Sequence, residues 1–230
     1  QTPASRVSHH PSQARKEPVL LERKVRNVGI LIFPDVELLD FAGPYEAFTT
    51  VNDGGTEKLF EVFTVAEQPE PLRSRAGVRI VPDYTFDDAP HIDILIVPGG
   101  QGTRREINNR VVIDWIRAVS GDAELTTSVC TGSFLIAEAG ALRAGNKATT
   151  HWASANRMRE QFPGIETHED VRWVDDGAVI SSAGVSAGID MALHVIERLC
   201  GEDTAASSAR LMEYDYWKPA KQKAAAVSAT

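Results

Sequence analysis

The 230-residue chain carries 24 Lys and Arg against 32 Asp and Glu, for a formal net charge of −8, and it holds only two cysteines. An acidic balance leaves nothing to neutralise phosphates, which argues against nucleic acid as the main partner, and two cysteines are too few for a disulfide scaffold. The length suits one sizeable core, and no run of about 18 apolar residues marks a membrane span.

Residues 1–25 read as a disordered leader, rich in Pro, Ser, His and charge and lacking an apolar period. The pair His9-His10 reads as part of a solvated tail, as does the stretch 219–230 at the other end. A single α/β domain is expected over 26–218. The chain opens on Gln1, which suits either a removed signal peptide or a trimmed start, so a cytoplasmic location is expected with export as the alternative.

Val28 to Phe33 is an apolar run closed by Pro34, the pattern of a parallel strand covered on both faces. Leu38, Leu39, Phe41, Ala42, Tyr45, Ala47 and Phe48 follow at helical spacing. Phe60 to Val65 alternates as a strand, and Val78 to Val81 gives a further short one. Ile92 to Val97 is another buried strand, ended by Pro98-Gly99-Gly100, and Val111 to Val119 is the next helix.

Leu125 to Val129 leads into the stretch Cys130-Thr131-Gly132, where strand gives way to helix. A thiol at such a turn faces the positive end of the helix dipole and the free N–H groups of the first turn, so a thiolate is expected there. Gly132 permits a sharp elbow like those that hold catalytic serines, although Ser128 stands where that pattern has a glycine. Lys147 to Thr150 ends at His151-Trp152, Ala153 to Phe162 reads as a helix, and Val171 to Val174 with Val179 to Ser182 reads as a hairpin across Asp175-Asp176-Gly177. Gly188 to Leu199 closes the pattern as a long helix.

Strand-helix alternation of this kind implies a mainly parallel sheet between helical layers, with ligands bound beyond the carboxyl ends of the strands. The residues after each strand, Phe33 to Asp40, Pro98 to Gly102, Cys130-Thr131 and His151-Trp152, are therefore expected to line one crevice. Cys130 is the candidate nucleophile, with packing as a small hydrophobe the plain alternative. Asp40 stands in an apolar stretch that should raise its pKa, which suits an acid-base role, a helix cap being the alternative. Glu37 is expected to face solvent. Gly99 and Gly100 make either an ordinary turn or a set of N–H donors that, with Thr131, stabilise charge on a substrate. His151 reads first as a satisfied histidine at the edge of the site and second as a base, and Trp152 and Trp173 read as core or pocket wall. Cys200 reads as core or incidental. Thr126-Thr127 and Thr149-Thr150 read as ordinary strand residues. No metal-ligand spacing and no phosphate-binding glycine pattern is present, so neither metal nor nucleotide cofactor is expected.

Taken together, Ile32 to Asp40 with Gly43-Pro44, Val97 to Gly100, Val129 to Gly132, Ala148 to Trp152 and Ser182-Ala183-Gly184 resemble the ThiJ/PfpI superfamily, and within it the isonitrile hydratase branch. The resemblance implies a flavodoxin-like three-layer α/β sandwich with a nucleophile elbow, a homodimer, a small-molecule substrate and no cofactor. Carried over by position, it implies Cys130 as nucleophile, Asp40 as acid and base, and Thr131 as their neighbour. It further implies hydration of an isonitrile through a thioimidate on Cys130. Peptidase-like members carry His where this chain has Thr131, and glutamine amidotransferases carry a His-x-Glu pair where this chain reads Ala183-Gly184-Val185-Ser186. A redox-sensing or stress-protective protein, a glyoxalase-like or amidase activity, and a ligand-binding module derived from a regulator are the alternatives that the same residues leave open.

Overall fold

A computed structural model describes residues 24–53 and 57–215. The tail at 219–230 and nearly all of the expected leader lie outside the described residues. Lys24, assigned above to the leader, instead donates to the buried Asp93 at 2.5 Å.

In chain order the elements are β1 (Arg26–Leu31), α1 (Leu38–Asp53), β2 (Phe60–Ala66), β3 (Leu72–Arg73), β4 (Arg79–Ile80), β5 (Tyr84–Thr85), β6 (Ile94–Val97), α2 (Thr103–Glu106), α3 (Arg110–Asp122) and β7 (Leu125–Val129). There follow α4 (Gly132–Glu138), β8 (Lys147–Thr149), a single 3₁₀ turn at Trp152–Ser154, α5 (Ala155–Gln161), β9 (Glu166–His168), β10 (Trp173–Asp176), β11 (Val179–Ser182), α6 (Ala187–Cys200) and α7 (Glu202–Leu211). Seven strands form one sheet in the order β10-β11-β7-β6-β1-β2-β5, parallel except for the β10-β11 hairpin.

The apolar runs explain the centre of this sheet. All residues of the apolar β6 are buried, as a strand covered on both faces requires, and so are those of β7, whose Thr127 hydroxyl donates to the Leu95 carbonyl at 3.0 Å. From β1 the chain moves outward one way to β2, and from β6 it moves the other way to β7. Right-handed crossovers therefore put α1 on one face and α3 on the other. α6 and α7 pack with α1, and α2 and α4 pack with α3, which completes the three-layer sandwich.

The reversal of direction lies between β1 and β6, where a crevice opens at the carboxyl ends. Register aligns those ends: Val97 pairs with Ser128, and Val129 pairs with Ser182. Gly99, Cys130 and Ala183 thus leave the sheet at one level. The strand read at Val78 to Val81 is present as β4, while the short pieces β3, β5, β9 and α2 carry too little pattern to be read from sequence, and α7 is a weakly amphipathic helix held by Ser208 Oγ donating to the Ala47 carbonyl at 3.0 Å. Among the described residues no helix is long and apolar enough to cross a membrane, and no His, Cys, Asp and Glu group could hold a metal ion.

Candidate active site

Cys130 takes φ +57°, a left-handed conformation that costs a non-glycine residue energy and persists only where its surroundings enforce it. Here they do. The Cys130 N–H donates to the carbonyls of Ser182 and Ala183 at 3.1 and 3.2 Å, and its own carbonyl accepts from the hydroxyls of Thr150 and Ser133 at 2.9 and 3.1 Å. Gly132 makes the elbow possible, since a Cβ there would lie 2.0 Å from the Val97 carbonyl oxygen.

Asp40, in the first turn of α1, is fully buried beside the thiol. Its Oδ2 accepts from the Gly99 N–H at 2.9 Å, while Oδ1 is buried without a hydrogen-bond partner. Burial raises the pKa of this carboxyl to about 7, against the lowering effects of the Gly99 N–H, the Cys130 thiol and the Val185 N–H. Glu37 adds to the rise through its charge. That side chain was expected in solvent, but it is 16% exposed and held by Arg75 at 2.5 Å.

The expected thiolate is not what the structure holds. Cys130 is 6% exposed, and burial together with the Asp40 charge pushes its thiol up to about 12, outweighing the Thr131 N–H and hydroxyl that favour the ionised form. The helix dipole is too weak to reverse this, because α4 has only seven residues and a low-dielectric setting penalises the charge directly. The resting pair is a thiol next to a carboxyl that titrates near neutrality.

Gly99 and Gly100 depart from expectation in a similar way. Their N–H groups do not stand free in the crevice: Gly99 donates to Asp40, and Gly100 donates to Thr131 Oγ1 at 3.1 Å. Thr131 Oγ1 is also 3.2 Å from Thr103 Oγ1, so α2 is tied to the elbow. A side chain at Gly99 would meet the Thr131 nitrogen at 2.6 Å and Asp40 Oδ2 at 2.9 Å, so only glycine lets loop and acid come together.

His151 caps the 3₁₀ turn, its Nδ1 accepting from the Ala153 N–H at 3.2 Å, and its ring lies against Gly184. No hydrogen bond among the described residues joins it to Cys130. Trp152, expected as core or pocket wall, is 78% exposed because the turn carries it out over the surface. Trp173 is core, stacked on His194 at 5.2 Å. Cys200 is half-buried at the end of α6, and neither cysteine is in a disulfide.

Two contributors escaped the sequence reading. Thr150, taken as an ordinary strand residue, clamps the elbow carbonyl. Val185 takes φ +55°, rare for a β-branched residue, and turns its N–H toward Asp40. The Ser182-Ala183-Gly184 motif at the end of a strand was the available signal for the second. Arg172 holds that loop in place, bonding Ser186 Oγ at 3.0 Å and the fully buried Asp190 at 2.5 Å.

Residues 26–198 match the DJ-1/PfpI family model. The chain is 36% identical over 187 residues to isonitrile hydratase of Pseudomonas putida, covering 81% of this chain and 78% of that protein. It is 28% identical over 193 residues to the HTH-type transcriptional regulator GbdR of Pseudomonas aeruginosa, where 84% of this chain corresponds to about half, 52%, of the regulator. The crystal structure of a ThiJ/PfpI family protein from Pseudomonas syringae superposes with TM-score 0.75 at 28% identity, covering 90% of this chain and 84% of that one.

Proposed function

The chain belongs to the DJ-1/PfpI family, and from that premise we propose that it is a cysteine-dependent hydro-lyase that hydrates isonitriles to N-substituted formamides. The observation that carries this reading is the pairing of a buried thiol with a buried carboxyl raised to about 7. A group titrating near neutrality can accept and return a proton within one turnover.

Both electrophile and base character are needed at the same carbon of R–N≡C. The Asp40 carboxylate takes the Cys130 proton as sulfur bonds to the terminal carbon, and the resulting carboxylic acid delivers that proton to the same carbon. The sum is addition of S–H across the carbon, giving the thioimidate R–N=CH–S–Cys130. The ionised thiol exists only during this transfer, which is consistent with a resting thiol pushed up to about 12. Water then adds to the thioimidate carbon, with Asp40 taking its proton. Asp40 passes that proton to nitrogen, collapse breaks the C–S bond as the added hydroxyl gives up its proton to the departing sulfur, and R–NH–CHO leaves with the thiol restored.

In this reading Thr131 directs its N–H and hydroxyl at the sulfur and stabilises the charge that forms there. Gly99 holds the acid, and Gly100 holds Thr131. His151, whose ring lies against Gly184, and the exposed Trp152 are the proposed contacts for the R group. By the same family reasoning the protein works as a homodimer, which light scattering on the purified chain would test.

The decisive experiment is incubation with cyclohexyl isonitrile while following N-cyclohexylformamide by proton NMR. Turnover is expected for the unmodified protein and not for Cys130→Ala or Asp40→Asn. No formamide from the unmodified protein would reject the assignment, and selective peroxide oxidation of Cys130 without turnover would point to a redox role instead.

A further inference from the structure

A cavity of about 370 Å³ lies on the far side of the loop that carries Gly99 and Gly100 from the thiol. Its apolar floor comes from the ends of β1 and β2 and from α3, with Ile32, Phe33, Ala66, Leu72, Phe86 and Val112. The segment 98–106 separates it from the thiol: Gly99, Gly100 and Thr103 bond toward Asp40 and Thr131, whereas Arg105 and Glu106 line the cavity.

The polar rim decides what could enter. Arg105 is not an unbalanced cation there: its guanidinium pairs with Glu106 at 2.8 Å and with Asp35 at 3.4 Å, and it donates to the Pro34 carbonyl at 2.8 Å. Both Glu106 oxygens are likewise used, by Arg105 and by Asn109 at 3.0 Å. The Asn109 amide also donates to Glu67 Oε2 at 2.8 Å. Among the described residues Glu67 Oε1 and the whole Glu70 carboxylate accept nothing. Arg105 is balanced by Glu106 and Asp35, whereas neither Glu67 nor Glu70 has a cationic partner among the described residues, so the rim carries net negative charge above a floor with two phenyl rings.

We infer that this cavity is a binding site for a small organic cation with an apolar or aromatic body, distinct from the thiol site. The body fills the floor, and the cationic head meets Glu67 and Glu70 and lies within reach of the Phe33 and Phe86 rings. This assignment does not depend on the reaction proposed for Cys130.

The test is titration of the ¹⁵N-labelled full chain with benzylammonium, benzyl alcohol and phenylacetate at pH 7, three probes of like size and different charge. Benzylammonium is expected to shift the amides of residues 66–72 and 105–112 and to bind at least tenfold more tightly than benzyl alcohol, with phenylacetate giving no shifts there. Glu67→Gln with Glu70→Gln, both at the rim, should remove the preference for the cation. Val112→Trp, which fills the floor, should abolish binding of all three. Equal binding of the three probes, shifts confined to other surfaces, or an unchanged preference in the glutamine variant would each overturn the assignment. The glutamine variant alters only the rim, so the result stands even where the tryptophan variant fails to fold.

Discussion

The backbone N–H of Gly99 donates to Oδ2 of Asp40 at 2.9 Å across 59 residues of sequence, which fixes the acid against the elbow that carries the thiol. Asp40→Asn keeps an oxygen acceptor for that N–H and removes both the charge and the exchangeable proton. Isonitrile turnover is expected to fall by about 10²- to 10⁴-fold, the usual contribution of a positioned acid or base. Because the Asp40 charge is one of the causes that raise the Cys130 thiol, the variant should also alkylate with iodoacetamide at lower pH than the parent. An unchanged alkylation profile would show that the two groups do not interact.

Thr131→Val is expected to move alkylation the other way. The hydroxyl favours the ionised sulfur, so its loss raises the thiol further and slows alkylation at pH 8. The Gly100 N–H also loses its acceptor, at a cost of about 1 to 3 kcal/mol in urea unfolding. Faster alkylation would contradict the orientation given to Thr131.

Stability should carry the signature of Asp40 as a function of pH. Burial raises its folded-state pKa to about 7 from an ordinary value of 3.8, so between these values the native protein holds a proton that the unfolded chain releases. Stability therefore falls as pH rises through this window and levels off above 7. At about 1.4 kcal/mol per pKa unit the loss amounts to a few kcal/mol. In urea titrations Asp40→Asn should match the parent near pH 4 and exceed it by that margin at pH 8. A pH-independent difference would refute the raised pKa.

Gly132→Ala should be among the most damaging single-methyl changes in the chain. The new Cβ meets backbone, 2.0 Å from the Val97 oxygen and 2.8 Å from the Pro98 oxygen, and neither can yield without disturbing the elbow. A loss of about 3 kcal/mol is expected, at the upper end for overpacking, together with loss of turnover. Gly121→Ala in α3 is the control: its Cβ meets nothing within 4 Å, and it should gain about 0.4 to 1 kcal/mol.

Arg172→Ala strands the Asp190 carboxylate, which is fully buried and also accepts from the Tyr214 hydroxyl at 2.9 Å. The expected cost is about 3 kcal/mol, the lower end for breaking a buried pair, since the Arg172 side chain is one-third exposed. Adding Asp190→Asn should recover part of the loss, as it removes the uncompensated charge. Additive losses in the double variant would show that the two residues act separately.

The sequence by itself determined the alternating strands and helices, because apolar runs of the length of β1 and β6 pack stably only when covered on both faces. It also located Cys130, Asp40, Thr131 and the glycine pair, since residues that follow parallel strands must gather at one end of the sheet. What it could not set was the balance of local fields. A dipole argument made Cys130 a thiolate, and only the packed environment, with a buried acid alongside, decided for the thiol. The partners of the Gly99 and Gly100 amides, the exposure of Trp152, and the parts played by Thr150 and Val185 were likewise decided by tertiary structure. Each depends on which chain segment arrives at hydrogen-bonding distance from far along the sequence, and one-dimensional periodicity carries no record of such distances.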